Sequence, residues 1–252
     1  MIKDFQVIAH RGASRYAPEN TMAAFCKAHE LGCYYIECDI AFSKDSVPFI
    51  FHDNYLNRTT NGKGKISQYT WQEINSLDAG SWFLPEYAGE KIISLKQLLD
   101  WHQHTDKMIN LEIKPIKTSL LNRHLDIILN EVAQATHSKG LIFSSFQPEI
   151  LKRLQVIEQP VPYAMLTSRW QKKHVSFATE TGCSQLNVAH HSLSSSAVAF
   201  THEQGLKVGA YTVNEVLRAQ QLKEQGVDAI FTDDVPLIKK GLDHLECPTK
   251  TK

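Results

Sequence analysis

The sequence predicts a single α/β domain over residues 1–252, folded as a (β/α)8 barrel. Two observations carry this prediction. Short apolar segments alternate with helical patterns from one end of the chain to the other, which is typical of a parallel sheet covered by helices. The length of 252 residues also fits eight such units.

The main alternative is an open doubly wound sheet, which usually carries a glycine-rich nucleotide-binding turn after its first strand. In this chain the first apolar segment, Val7-Ile8-Ala9, is followed by His10-Arg11-Gly12-Ala13. This tetrapeptide lacks the glycine pattern of that turn. The sequence therefore favours the barrel.

The predicted strands are short β-prone runs bounded by turn residues. They cover residues 7–9, 34–40, 47–51, 108–113, 141–144, 163–166, 185–188, 207–211 and 229–232. The helices are recognised by apolar residues at helical spacing and by their caps: Thr70 and Ser94 at N-termini, Gly32, Gly205 and Gly226 at C-termini. They cover residues 22–31, 71–77, 95–102, 119–134, 148–157, 172–181, 195–204 and 213–225, with a last helix from Pro236 and a polar tail over 247–252.

An insertion is predicted over residues 54–90, where the strong periodicity is lost. This segment is rich in aromatic residues, and long loops in compact domains are usually functional. We expect it to fold over the mouth of the barrel as part of the same domain.

Composition limits the possible partners and compartments. Lysine and arginine total 27, as do aspartate and glutamate, so no overall field attracts nucleic acid or an anionic membrane. No apolar run is long enough to span a bilayer, and the N-terminus lacks a signal peptide's apolar core. The five cysteines show neither C-x-x-C nor zinc-like spacing. We therefore expect a cytoplasmic protein with a small-molecule partner, no nucleic acid and no stable membrane anchor.

Ionisable residues follow several predicted strands at their C-terminal ends. They are His10, Arg11, Glu37, Asp39, His52, Glu112 and Lys114. In a barrel, these ends converge on one mouth. Three carboxylates on two strands suit Mg²⁺ or Ca²⁺ better than zinc, because both ions prefer oxygen ligands. The simpler alternative, acids that are solvated or paired with Arg11 and Lys114, is less favoured for three acids flanked by two histidines.

The histidines and cations among these residues fit phosphoryl transfer. His10 and His52 are the candidate acid and base, because imidazole changes charge near neutral pH. Arg11 and Lys114 are suited to bind a phosphate, arginine through its bidentate fork and lysine as a point charge. Positioning and charge stabilisation provide most of the catalysis in such reactions.

A series of motifs runs from the first predicted strand to the last. It comprises His10-Arg11-Gly12, Pro18-Glu19-Asn20-Thr21, Ile36-Glu37-Cys38-Asp39, His52-Asp53, Leu56-x-Arg58-Thr59-Thr60, Leu77-Asp78-Ala79-Gly80, Leu111-Glu112-Ile113-Lys114-Pro115, Ser145-Phe146 and Thr232-Asp233. In this order the motifs resemble the glycerophosphodiester phosphodiesterases. The resemblance implies a barrel with a small insertion after the second βα region, here residues 54–90.

The resemblance also implies the site and the reaction. Glu37, Asp39 and Glu112 would hold one divalent cation, Mg²⁺ or Ca²⁺. His10 and His52 would serve as acid and base, in either order, while Arg11 and Lys114 contact the phosphate. The implied reaction is hydrolysis of a glycerophosphodiester, such as glycerophosphocholine or glycerophosphoethanolamine, to sn-glycerol 3-phosphate and an alcohol. The nucleophile is either water or the neighbouring glycerol hydroxyl, which would first give a cyclic phosphate.

The sequence departs from the family at two positions. Tyr211 stands near the end of the strand over 207–211, where the family commonly has tryptophan. It is therefore a candidate substrate-pocket residue, and the alcohol side of the pocket is expected to differ. Ser46 replaces a common turn glycine.

Three other functions fit part of the pattern. A lysophospholipase D-like hydrolase on the same scaffold would use Trp71, Trp82 and Phe83 to line an acyl groove, but a small core of the insertion is the favoured role of these aromatics. A non-catalytic phosphodiester-binding protein should lack an essential residue, and none is missing. A metal-dependent lyase would fit the bare site but would not explain the whole motif series.

Overall fold

The computed structural model describes residues 5–135, 139–157 and 159–246. The strands in these ranges are β1 (Gln6–Ala9), β2 (Tyr35–Phe42), β3 (Pro48–Ile50), β4 (Met108–Ile113), β5 (Leu141–Ser145), β6 (Tyr163–Thr167), β7 (Gln185–Ala189), β8 (Lys207–Tyr211) and β9 (Ala229–Thr232). They form one sheet in the order β1-β9-β8-β7-β6-β5-β4-β2-β3, and β1 also pairs with β2. Within the described ranges, every strand except β3 is therefore part of a closed parallel barrel of eight strands.

Helices alternate with the barrel strands. They are α1 (Met22–Glu30), α2 (Trp71–Ser76), α3 (Leu95–His102), α4 (Leu121–Gln134), α5 (Pro148–Ile157), α6 (Lys172–Glu180), α7 (Ser195–Glu203), α8 (Val216–Glu224) and α9 (Val235–Glu246). One helix follows each barrel strand, and α2 lies in the insertion. The (β/α)8 barrel predicted from the sequence is confirmed. The predicted tail over 247–252 lies outside the described residues.

The main hydrophobic core lies between the barrel strands and the outer helices. Phe25 of α1, Leu111 of β4 and Phe143 of β5 are fully buried in it. Burying a side chain of this size contributes about 1.5–3 kcal/mol relative to leaving it in water. This packing makes the strands a rigid support for the residues at their C-terminal ends.

The strand predicted at 47–51 forms, but the expectation of a wholly parallel sheet is wrong for it. β3 is antiparallel to β2, with Ile50 opposite Ile40 and Pro48 opposite Phe42. The connection is a tight turn in which the Ser43 amide donates to the Val47 carbonyl (3.1 Å). A parallel neighbour needs a crossover of a dozen or more residues. β3 therefore lies outside the barrel ring, and His52 follows an edge strand.

The insertion over 54–90 has a small core of its own, which it shares with the β2–β3 hairpin. Its buried members are Leu56, Ile66, Ile74 and Ala79, packed with Ala41, Phe49, Phe51 and Ile92. Trp71 packs against this cluster. Trp82 is 38% exposed and contacts Phe83 edge to face, with ring centroids 5.6 Å apart. The insertion is thus attached to the barrel through the hairpin.

Two helices begin later than predicted. A short 3-10 turn, Thr118–Leu120, precedes α4. α8 begins at Val216 instead of residue 213, because the preceding residues bond to the end of β9. The Val213 amide donates to the Phe231 carbonyl (2.8 Å), and Asn214 Oδ1 accepts from the Asp233 amide (2.9 Å).

A close approach inside the barrel explains why position 209 is a glycine. Gly209 of β8 lies opposite Asn187 of β7. A Cβ at position 209 would lie 2.1 Å from Asn187 Oδ1, an atom that already accepts a hydrogen bond from Gln185 Nε2 (2.6 Å). The Asn187 side chain therefore occupies the space that any larger residue at 209 would need.

We expect Gly209→Ala to lower the free energy of unfolding by about 1–3 kcal/mol, because the methyl group overpacks the barrel interior. Urea denaturation followed by circular dichroism measures this loss. In an Asn187→Ala background the same substitution should cost less, because the obstructing amide is gone. An equal cost in both backgrounds would contradict the explanation.

Candidate active site

Three buried carboxylates form the centre of the candidate site. Glu37 and Asp39 lie two residues apart on β2, so their side chains point the same way, and Asp39 lies opposite Glu112 of β4. Carboxylate oxygens of the three residues lie within 4.8 Å of one another. Each residue is no more than 8% exposed. The parallel register of β2 and β4 thus creates the acidic cluster predicted from the sequence.

The electrostatics of the cluster suit a bound cation. Burial and the charge of Asp39 raise the pKa of Glu37 to about 8. Burial and Asp39 also raise the pKa of Glu112. Burial opposes ionisation of Asp39 as well, but the charges of Lys114 and Arg11 hold its pKa below the ordinary value. A divalent cation would relieve the remaining repulsion, and an all-oxygen donor set suits a hard cation such as Mg²⁺ or Ca²⁺.

The loop after β1 holds two of these carboxylates through residues with positive φ. Arg11 has φ of 58° and donates its backbone amide to Glu37 Oε2 (2.9 Å). Asn20 has φ of 59° and donates its side-chain amide to Asp39 Oδ2 (2.8 Å). Non-glycine residues rarely adopt this backbone region, and such residues cluster at functional sites.

The two candidate phosphate-binding cations lie beside the acidic cluster. Lys114 Nζ bonds to Glu112 Oε1 (2.8 Å) and Asp39 Oδ1 (3.3 Å). Arg11 donates from one terminal nitrogen to Glu19 Oε1 (2.7 Å), and its Nε lies 3.6 Å from Asp39 Oδ2. That Nε is buried and makes no hydrogen bond within the described part of the chain. Arg11 therefore retains a donor for a further acceptor.

His10 directly follows β1 and is oriented by the end of β9. Its Nδ1 lies 2.7 Å from Asp233 Oδ1, which also accepts from Ser14 Oγ (3.3 Å). Asn214 Nδ2 donates to the other oxygen of Asp233 (2.6 Å). Burial favours neutral His10, but the hydrogen bond to Asp233 and the charge of Glu37 outweigh it and raise the pKa of His10. The bond to His10 also contributes to lowering the pKa of Asp233 to about 2, against its burial.

His52 has a similar partner but a different charge environment. Its Nδ1 lies 2.6 Å from Asp53 Oδ1. Burial lowers the pKa of His52, and the nearby charges of Arg11 and Lys114 act in the same direction. Asp39 and Asp53 oppose this change without reversing it. The two imidazoles therefore differ: His10 tends to be protonated and His52 tends to be neutral.

The remaining predicted site residue, Tyr211, lies at the end of β8. Its hydroxyl donates to the Thr167 carbonyl (2.8 Å), and its ring contacts Phe146 edge to face at 5.9 Å between centroids. Burial and the charge of Glu112 raise the pKa of Tyr211, so it stays a neutral phenol. A role in binding substrate remains a prediction.

A cavity of about 480 Å³ opens beside His52 and Lys114. The insertion contributes Tyr55 and Lys65 to its lining, and the segment after β4 contributes Lys117. The site thus has adjoining space for a small molecule. Across the residues that the structure describes, no helix has the length and apolar character needed to cross a membrane.

The structure brings the metal, histidine and cation candidates to one mouth, but the sequence alone assigned no roles to the groups that orient them. These are Glu19, Asn20, Asp53, Arg58, Asn214 and Asp233. Adjacency in the chain would have pointed to Asp53. Asp233 follows the last strand, which must neighbour the first in a closed barrel. No local sequence pattern shows that Glu19 binds Arg11 and Arg58, or that Asn214 binds Asp233.

We expect Asp233→Asn to lower the pKa of His10 by about one unit, because the imidazolium loses a charged hydrogen-bond acceptor. An NMR titration of the His10 ring measures this change. Asp228→Asn is a control, because Asp228 precedes β9, whereas Asp233 follows it, and the Asp228 carboxylate bonds to His202 (2.7 Å) and the Val208 amide (2.8 Å). An unchanged His10 pKa in Asp233→Asn would show that Asp233 does not set the charge of this ring.

The comparisons with known proteins agree with this geometry. Residues 10–237 match the Glycerophosphoryl diester phosphodiesterase family. The Bacillus subtilis protein YhdW is 34% identical over 246 residues, which cover 94% of this chain and 98% of YhdW. The glycerophosphodiester phosphodiesterase of Caldanaerobacter subterraneus subsp. tengcongensis is 30% identical over 239 residues, with coverage of 93% and 98%.

A solved structure is similar over almost the same length. A phosphodiesterase of Oleispira antarctica, determined in complex with the product sn-glycerol-3-phosphate, is 33% identical with a TM-score of 0.90. The alignment covers 94% of this chain and 96% of that one. The sequence match, the barrel and the clustered motif residues lead to one conclusion: this chain belongs to the glycerophosphoryl diester phosphodiesterase family and is a hydrolase.

Proposed function

We propose that the protein hydrolyses glycerophosphodiesters, such as glycerophosphocholine and glycerophosphoethanolamine, to sn-glycerol 3-phosphate and an alcohol in a metal-dependent reaction. One observation carries this proposal: three buried carboxylates share a mouth with two carboxylate-bound histidines, Arg11 and Lys114. The product bound to the Oleispira antarctica relative is consistent with it.

Glu37, Asp39 and Glu112 would hold the cation, Mg²⁺ or Ca²⁺. A bound divalent cation supplies Lewis-acid charge that offsets the negative charge of a phosphodiester. Arg11 and Lys114 would bind other phosphate oxygens. These fixed cations hold the diester in position and stabilise charge that develops on it.

The two imidazoles would divide the proton transfers. Each binds its aspartate through Nδ1, which leaves Nε2 to face the substrate. We assign His52 as the base that takes a proton from the nucleophile, because burial lowers its pKa. We assign His10 as the acid that protonates the leaving alkoxide, because its bond to Asp233 helps to overcome burial and raise its pKa. The nucleophile would be water or the neighbouring glycerol hydroxyl.

Residues 54–90 would belong to the same domain and cover the mouth. The core that the insertion shares with the β2–β3 hairpin supports this, as does the position of Tyr55 and Lys65 in the cavity lining. We also propose a reducing compartment such as the cytoplasm. Four cysteines, Cys26, Cys33, Cys38 and Cys183, are free thiols, which supports that location.

The direct test measures release of glycerol 3-phosphate from glycerophosphocholine and glycerophosphoethanolamine. We expect product that disappears with excess chelator and returns with Mg²⁺ or Ca²⁺, because the acidic cluster needs a cation. Lysophosphatidylcholine in detergent is the comparison substrate. Activity on the lysolipid alone would favour the lysophospholipase D-like alternative, and no product from either class would favour a binding protein.

The histidine assignment predicts how much kcat falls when either imidazole is removed, and how kcat/KM depends on pH. His10→Ala and His52→Ala should each reduce kcat by about 10²–10⁴-fold. In the wild type, kcat/KM should rise as pH rises through the pKa of His52, which lies below the ordinary value of 6.5. It should fall as pH rises through the pKa of His10, which lies above 6.5. Near-wild-type rates in both variants would overturn the assignment.

A further inference from the structure

Arg58, in the insertion, connects two halves of the active site that belong to different parts of the fold. Its Nε and one terminal nitrogen donate to the two oxygens of Asp53 (2.7 and 3.0 Å). Its two terminal nitrogens also donate to the two oxygens of Glu19 (2.7 Å each). One guanidinium thus forms a fork with each of two carboxylates, a geometry that lysine cannot reproduce.

Each of these carboxylates in turn holds a residue of the proposed mechanism. Asp53 Oδ1 binds His52 Nδ1 at 2.6 Å, and Glu19 Oε1 binds a terminal nitrogen of Arg11 at 2.7 Å. A single carboxylate therefore separates Arg58 from the His52 imidazole, and another separates it from the Arg11 guanidinium. Its own donors are engaged by carboxylates, so it acts on the reaction through other residues.

The insertion's core fixes the backbone on both sides of Arg58. Leu56 is 1% exposed within that core, and Thr60 Oγ1 donates to the Leu56 carbonyl (2.6 Å). Thr59 and Thr60 are also buried. The guanidinium, in contrast, belongs to a side chain that is 45% exposed. Its four contacts go to Glu19 and Asp53, whose side chains are only 13% and 25% exposed. Because both carboxylates also hold residues of the proposed mechanism, these contacts are suited to positioning.

From this geometry we propose that Arg58 is a positioning residue, which fixes the His52 imidazole through Asp53 and the Arg11 guanidinium through Glu19. The proposal rests on the proposed function of His52 and Arg11. On this view, residues 54–90 supply the group that aligns the base with the phosphate-binding arginine. Two effects follow from its loss, a lower kcat from a misaligned base and a higher KM from a mobile Arg11.

The test compares Arg58→Ala, Arg58→Lys and the wild type with glycerophosphocholine as substrate. We expect kcat/KM of Arg58→Ala to fall about 10²-fold, since small misplacements of catalytic groups have effects of this size. Arg58→Lys should be intermediate, because it keeps the charge but has a single nitrogen. Guanidinium ion at concentrations well below those that unfold the protein should restore activity to Arg58→Ala and leave Arg58→Lys unchanged.

A second readout does not depend on turnover. ¹⁵N NMR of the His52 ring should show one dominant tautomer, with hydrogen on Nδ1, in the wild type and a mixture in Arg58→Ala. Lys96→Ala is the matched control: it removes an exposed ion pair with Asp100 (2.8 Å) on α3, and it should change neither activity nor the His52 ring.

The outcomes separate this proposal from the proposed function. An inactive wild type would count against the proposed function, whereas the tautomer measurement would still test Arg58. Wild-type kcat/KM in Arg58→Ala would overturn the positioning role. So would a loss of activity that guanidinium fails to restore while the His52 tautomer stays unchanged, because that pattern belongs to a general structural defect.

Discussion

The site depends on the burial of three carboxylates within 4.8 Å of one another. Negative charges so close and so poorly solvated repel strongly, and burial together with the charge of Asp39 raises the pKa of Glu37 to about 8. The surrounding structure holds them in place. Lys114 and Arg11 supply positive charge to Asp39. In the loop after β1, Arg11 and Asn20 adopt the left-handed backbone conformation, which lets them bond to the cluster.

A second set of carboxylates surrounds this centre and orients the residues that would act on the substrate. His10 is paired with Asp233, His52 with Asp53, and Arg11 with Glu19. His10 and Asp233 lie near opposite ends of the chain, so the barrel must close before this pair forms. The other two pairs are local, and Arg58 of the insertion links their carboxylates, Asp53 and Glu19. The same kind of pairing leaves the two imidazoles with opposite charge tendencies, because burial and the nearby cations prevail at His52 but not at His10.

Local patterns predict most of the fold. β4 and β8 begin and end at the expected residues, because an apolar run and its flanking turn or proline are local features. The orientation of β3 is not visible in such a pattern, since antiparallel pairing depends on the tight turn before it. The start of α8 differs from the prediction because Asn214 is held by the distant Thr232 and Asp233. Likewise the acidic cluster could be predicted from strand spacing, whereas the link from Arg58 to Glu19 joins residues 39 positions apart.

The antiparallel edge strand β3 has a consequence for local unfolding of the active site. His10 is attached to the barrel ring, whereas His52 leaves β3 and enters a segment whose buried side chains form a separate small cluster. Segments with few buried contacts open with a lower free energy than the main core. Local opening of this cluster would withdraw the imidazole of His52 while the three carboxylates stay on β2 and β4. With His52 in its proposed role as the base, the stability of the small core then limits the fraction of molecules that are ready to react.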